Sequence, residues 1–131
     1  MPGYLNMLTT RGVHVLELDL PAGIDASEFD RLNQRALPEV EATAGEGWVI
    51  DLAPCRYVGS AALGFLINLR QRITAAGGMV VLCELSPPIE AIMRTSSLGR
   101  LFAITSTRDT AVELVLEWRT RPGRGGRGRR G

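Results

Sequence analysis

The chain has 131 residues, of which 45% are hydrophobic and 22% charged; this is the length of one domain, with an ordinary globular balance and enough apolar residues to build a core without disulfides or a metal. Its net charge of +1 divides unevenly: all 15 basic residues are arginine, six of them fall in residues 119–131, and residues 1–118 carry nine Arg against 14 Asp and Glu, or −5. Without lysine there is neither a P-loop lysine nor a Schiff-base nucleophile, and no stretch approaches the roughly 18 apolar residues needed to span a bilayer.

Taken in chain order, Leu5–Leu8 is a short apolar run that reads as a first strand. Val13–Leu20 alternates, with Leu16, Leu18 and Leu20 on one side and Glu17 and Asp19 on the other, which predicts a strand with one buried and one wet face. Asp25, with Glu28 three residues on, opens a helix in the manner of a capping box. Phe29, Leu32 and Ala36 follow at helical spacing, and Pro38 is expected to end or kink it. Trp48–Leu52 is a compact strand. Ser60 reads as the cap of a helix whose inner face is Ala62, Leu66, Leu69 and Ile73, closed by Gly77-Gly78. Met79–Leu85 is nearly all apolar, as a buried central strand should be. Ser86-Pro87 starts a third helix with Ile89, Ile92 and Met93 inward. Leu101–Ile104 is a last short strand, and Thr107 caps a final helix that turns Ala111, Leu114, Val115 and Trp118 inward.

The order β-β-α-β-α-β-α-β-α predicts an α/β single domain: a mixed, mostly parallel sheet of four to five strands with about four helices mainly on one face. The domain is expected over residues 1–118. Residues 119–131, Arg/Gly-rich and without an apolar side chain beyond Pro122, are expected to be disordered. The two cysteines, Cys55 and Cys83, are too few for a disulfide framework and sit in or beside apolar runs. No basic and then apolar leader is visible at Met1–Asn6. Reduced thiols and a cytoplasmic location are therefore expected, with no membrane insertion.

Enzyme signals are weak. His14, the one histidine, lies mid-strand on the Leu16/Leu18 side and reads as a core or semi-buried residue. One His and two separated Cys give no metal spacing, so neither a metal nor a cofactor is expected. Asp19, Asp25 and Asp51 could be gathered at one sheet edge, but Asp25 is most simply a cap and Asp51 a strand-end polar residue. No catalytic residue is assigned. Gly59-Ser60-Ala61-Ala62 is a strand-to-helix turn whose first backbone N–H groups point outward; read alone, it is a plain cap.

The ordered set of segments from Val49 onward resembles the STAS domain, in particular the bacterial anti-sigma factor antagonists. The matching pieces are Val49-Ile50-Asp51-Leu52, Gly59-Ser60-Ala61-Ala62-Leu63-Gly64, Ala75-Ala76-Gly77-Gly78 and Val80-Val81-Leu82-Cys83. Ser86-Pro87, Leu98, Leu101-Phe102 and Asp109-Thr110-Ala111 follow, and Asp25 stands where the family places an Asp after the second strand. The resemblance covers about Leu5–Trp118. It implies a non-enzymatic regulatory module that binds a serine-kinase anti-sigma factor through the turn and the start of the next helix. In that family the kinase phosphorylates the second Ser of Asp-Ser-Ser-Gly, and the added charge breaks the interface.

This chain departs from the family pattern at that point. Ala61 occupies the phosphoacceptor position, Gly59 replaces the Asp and Ala62 the Gly, leaving Ser60 as the one hydroxyl. The partner-binding surface implied is Gly59, Ser60, Ala61, Ala62, Leu63 and Gly64 together with Asp25. Three uses follow: a constitutive partner-switching component that cannot be phosphorylated at Ala61; Ser60 as a substitute acceptor, which a capping role for its hydroxyl disfavours; or a STAS subunit of a lipid- or anion-transport or stress-signalling complex. A different class of function, nucleic-acid contact, would rest on the Arg/Gly tail alone, which has no aromatic residue for stacking.

Overall fold

Leu5–Thr10 (β1) and Val13–Leu18 (β2) form an antiparallel hairpin, with Leu5 opposite Leu18 and Thr10 opposite Val13. Its two-residue turn places both Arg11 and Gly12 at positive φ, 53° and 79°, the geometry that matches the right-handed twist of the flanking strands. In the computed structural model, which describes residues 4–20, 23–55 and 58–121, this hairpin is one side of a five-stranded sheet. Gly47–Asp51 (β3), Met79–Cys83 (β4) and Ala103–Thr105 (β5) continue it in the order β1-β2-β3-β4-β5. From β2 onward all neighbours are parallel.

The helices are Ala26–Ala42 (α1), Ser60–Ala75 (α2), Pro87–Thr95 (α3) and Arg108–Thr120 (α4), with an unforeseen 3₁₀ turn at Ser97–Arg100. The capping box at α1 forms: Asp25 accepts from the Glu28 N–H, and the Glu28 side chain accepts from the Asp25 N–H. Of the two outcomes expected at Pro38, an end or a kink, the end does not occur: α1 runs four residues past it. Phe29, Leu32, Ala36 and Val40 make one buried stripe on both sides of the proline, and burying that stripe outweighs one missing backbone hydrogen bond.

Because β2 to β5 are laid down in sequence order by right-handed crossovers, α1, α2 and α3 cover the same face of the sheet. There Leu16, Leu18, Ile50, Leu52 and Leu82 meet Phe29, Leu32, Leu66, Leu69, Ile89 and Met93. The opposite face is not wet, as the Glu17/Asp19 alternation predicted. Val13, Val15, Val49, Val81 and Cys83 are buried there against Ala111, Val112 and Val115 of α4. Val13 and Val15 share the side of Glu17, so the alternation in β2 separates two cores rather than core from solvent. The folded part reaches past Trp118: Arg119 and Thr120 lie in the last turn of α4, where the Arg119 guanidinium donates to the Gly12 carbonyl at 3.0 Å. Residues 122–131, the bulk of the Arg/Gly segment expected to be disordered, lie outside the described residues.

Candidate functional site

Every parallel strand hands over to its helix at the carboxyl edge of the sheet, where α/β folds gather their binding loops. Neighbouring strands β2 and β3 put the loops before α1 and α2 side by side. The buried Cys55 ties them, its Sγ lying 3.9 Å from the Leu20 carbonyl. Deeper in, the Phe29 and Phe65 rings pack at 5.9 Å and Asn68 donates to Asn33 at 3.1 Å, so α1 and α2 lie alongside each other with both N-termini at this edge.

The β3–α2 turn ends at Gly59, whose extended backbone (φ −88°, ψ −175°) forms the N-cap and whose carbonyl accepts the Leu63 N–H at 3.0 Å. Ser60 is therefore the first helical residue and not the cap, and no side chain caps α2. The expected self-capping of its hydroxyl does not occur, because the cap falls one residue earlier, at Gly59. Ser60 and Ala61 are exposed, Ala62 is buried, Leu63 is half-buried and Gly64 is exposed. A methyl group on Gly64 would meet nothing within 4 Å, so this corner presents small groups and open space. Asp25 is also exposed at the same edge. Its carboxylate is held below the usual range by the Glu28 backbone N–H and the Ser27 hydroxyl, because both donors favour the ionised form.

The other candidates have structural partners. His14 is semi-buried: its ring stacks on Trp48 at 4.9 Å and its Nε2 lies 2.5 Å from Glu46 Oε1. It pairs with Trp48, near the start of β3, at the amino end of the parallel strands, opposite the turn. Burial pushes the Cys83 thiol up to about 12, with the Asp51 and Glu84 carboxylates adding to the effect, and burial raises Cys55 as well; both are neutral thiols. Among the described residues no group of three or more His, Cys, Asp or Glu could hold a metal ion, and no helix is long and apolar enough to cross a membrane.

Asp51 is more than a strand-end residue. It is 3% exposed, the one buried charged residue among those described. Its Oδ2 accepts from Arg108 Nε at 2.7 Å, and its Oδ1 accepts from the Ala53 N–H at 2.8 Å. Arg108 also pairs with Glu17. Sequence reasoning missed this cluster, because its members are up to 91 positions apart and no local spacing marks them.

The STAS domain family profile matches residues 4–111. The chain belongs to the STAS domain family. Over 63 residues this STAS domain is 29% identical to BtrV, a candidate anti-sigma factor antagonist of Bordetella bronchiseptica; the match covers 48% of this chain and 54% of that protein, about half the length of the curated relative. An anti-sigma factor antagonist (STAS) domain protein from Planctomyces limnophilus superposes with a TM-score of 0.74 at 19% identity, covering 86% of this chain and 97% of the other. A candidate anti-sigma factor antagonist from Thermotoga maritima gives 0.76 at 17% identity, covering 87% and 96%. The fold is thus that of the anti-sigma factor antagonists, with four helices and a five-stranded mixed sheet.

Proposed function

We propose that this STAS domain is a non-enzymatic docking module of the anti-sigma factor antagonist kind, whose binding surface is the exposed turn Gly59–Gly64 with Asp25 beside it, and whose contact cannot be switched by phosphorylation at Ala61. The partner is a serine-kinase-like anti-sigma factor, met in the cytoplasm. The observation that carries the reading is the first turn of α2. Ser60, Ala61 and Gly64 are exposed at the edge of a STAS fold; the resemblance in sequence sets Ala61, with a methyl group and no hydroxyl, against the family's acceptor position. Neither a metal nor a cofactor enters this reading. The exposed, uncapped Ser60 favours a second reading in which it substitutes as acceptor, since phosphate is well placed at a helix N-terminus.

The test is calorimetric titration against the purified serine-kinase anti-sigma factors of the same organism. Wild type is expected to bind, and Ala61→Glu to bind at least about tenfold more weakly, because it places an unpaired charge in the contact. With ATP present, the intact mass of wild type stays constant while Ala61→Ser gains one phosphate. Equal binding by wild type and Ala61→Glu overturns the docking turn; a phosphate on Ser60 of wild type selects the second reading.

A further inference from the structure

We infer that Arg108 is a positioning residue for the start of the β3–α2 connection, Ala53–Cys55, acting through the Asp51 carboxylate, so that the start of α4 is tied to the root of the proposed docking surface. This rests on the docking reading only for its use; the coupling itself is a property of the folded chain.

The two oxygens of Asp51 have different partners. One is held by Arg108 Nε at 2.7 Å and the other holds the Ala53 N–H at 2.8 Å. Ala53 is the second residue after β3, and the connection it begins leads to Gly59. The next fixed points are the Leu52 N–H on the Cys83 carbonyl (3.1 Å) and the Cys55 N–H on the Leu52 carbonyl (2.9 Å). A rotation of the carboxylate therefore releases the first hydrogen bond of the connection. The guanidinium that sets this rotation is fixed in turn. Its Nη2 pairs with Glu17, which Asn6 holds at 2.9 Å, and the Arg108 backbone N–H donates to Glu84 Oε2 at 2.9 Å. Side chains of β1, β2, β3 and the residue after β4 thus converge on the first residue of α4.

Three local preferences are broken to build this cluster. Asp51 is a charge nine-tenths and more buried. Arg108 is a cation at the positive end of a helix, where an anion is preferred. Glu84 has a φ of 59°, the left-handed region that disfavours a side chain. A buried ion pair is in general no better for stability than a packed apolar pair, and departures from local rules that converge on one place mark function more often than stability. Here they converge on the root of the turn.

Amide hydrogen exchange on the full chain tests this. Arg108→Gln is expected to accelerate exchange of the Ala53 and Cys55 amides, the two hydrogen-bonded at the start of the connection, at least about tenfold beyond any change at Val49 and Leu82, the order expected when a charge-assisted hydrogen bond is lost. Glu113→Gln, which removes the exposed Arg11–Glu113 pair on α4, is expected to leave the turn unchanged. If Arg108→Gln does not fold, Arg108→Lys is measured instead; it keeps the charge but lacks the fork that reaches Glu17 and Asp51 together. Uniform acceleration of turn and core, or none, overturns the inference and leaves Arg108 a general stabiliser. Turn-specific acceleration with partner binding unaffected by Ala61→Glu would keep the coupling and reject the docking reading.

Discussion

Gly47 in β3 and Val115 in α4 meet with no space between them: a Cβ on Gly47 would stand 2.3 Å from Val115 Cγ1. The β-branched valine has little rotamer freedom in a helix with which to give way. Gly47→Ala is expected to lower stability by about 1–3 kcal/mol, the cost of overpacking a filled core. Urea unfolding followed by tryptophan fluorescence measures it, and Val115→Ala added to Gly47→Ala is expected to recover part of the loss. Independent, additive losses would mean that the two residues do not share this contact.

Acid should act on the cluster at the root of the turn. The Asn6 amide first, and Arg108 second, hold the Glu17 carboxyl below the usual range. A carboxyl depressed in the folded state adds stability above its unfolded value of about 4.3, and that stability is lost as pH falls through the lower folded value. Arg108, with Asp51 and Glu84 also facing it, loses the partner that raises it most in Glu17→Gln but stays a cation throughout this pH range. Urea midpoints of wild type are therefore expected to exceed those of Glu17→Gln at pH 7 and to converge with them below about pH 4. A constant gap down to pH 3 would show that the Glu17 charge carries no linkage.

Pro38, exposed inside α1, removes a backbone donor without adding buried surface. Pro38→Ala is expected to restore the hydrogen bond to the Gln34 carbonyl and raise stability by about 1–2 kcal/mol, the helical gain less the entropy returned to the unfolded chain. The midpoint of chemical unfolding decides it. A lower midpoint would mean that the proline sets a bend on which the Leu32 to Val40 packing depends.

Much of this fold is legible in the sequence, because its signals are local. The capping box at Asp25, the Gly77 terminator and the apolar runs of β3 and β4 each sit within a few residues of what they specify. That α1 does not end at Pro38 has a tertiary reason: the stripe that keeps it going is buried by α2 and the sheet. The second core is missed because Val13 and Val15 stand in the same strand as the charged Glu17, and only the arrival of α4 from more than 90 positions away buries them. At the candidate site the turn is found to within one residue, whereas Asp51 and Arg108 are joined by topology alone. A strand-end Asp has no pattern that names an Arg 57 residues later.

The strand order β1-β2-β3-β4-β5 repeats the order of the chain itself. During synthesis each new strand can find its neighbour already made, with nothing to be prised apart, once the crossover helix between them has closed. The exception is the reverse side, where Val13, Val15, Val49 and Val81 stay open to water until residues 108–120 emerge from the ribosome and seal them. A nascent chain halted short of that point would display a valine-lined sheet face, an apolar patch that invites another apolar surface or a chaperone in place of the missing lid.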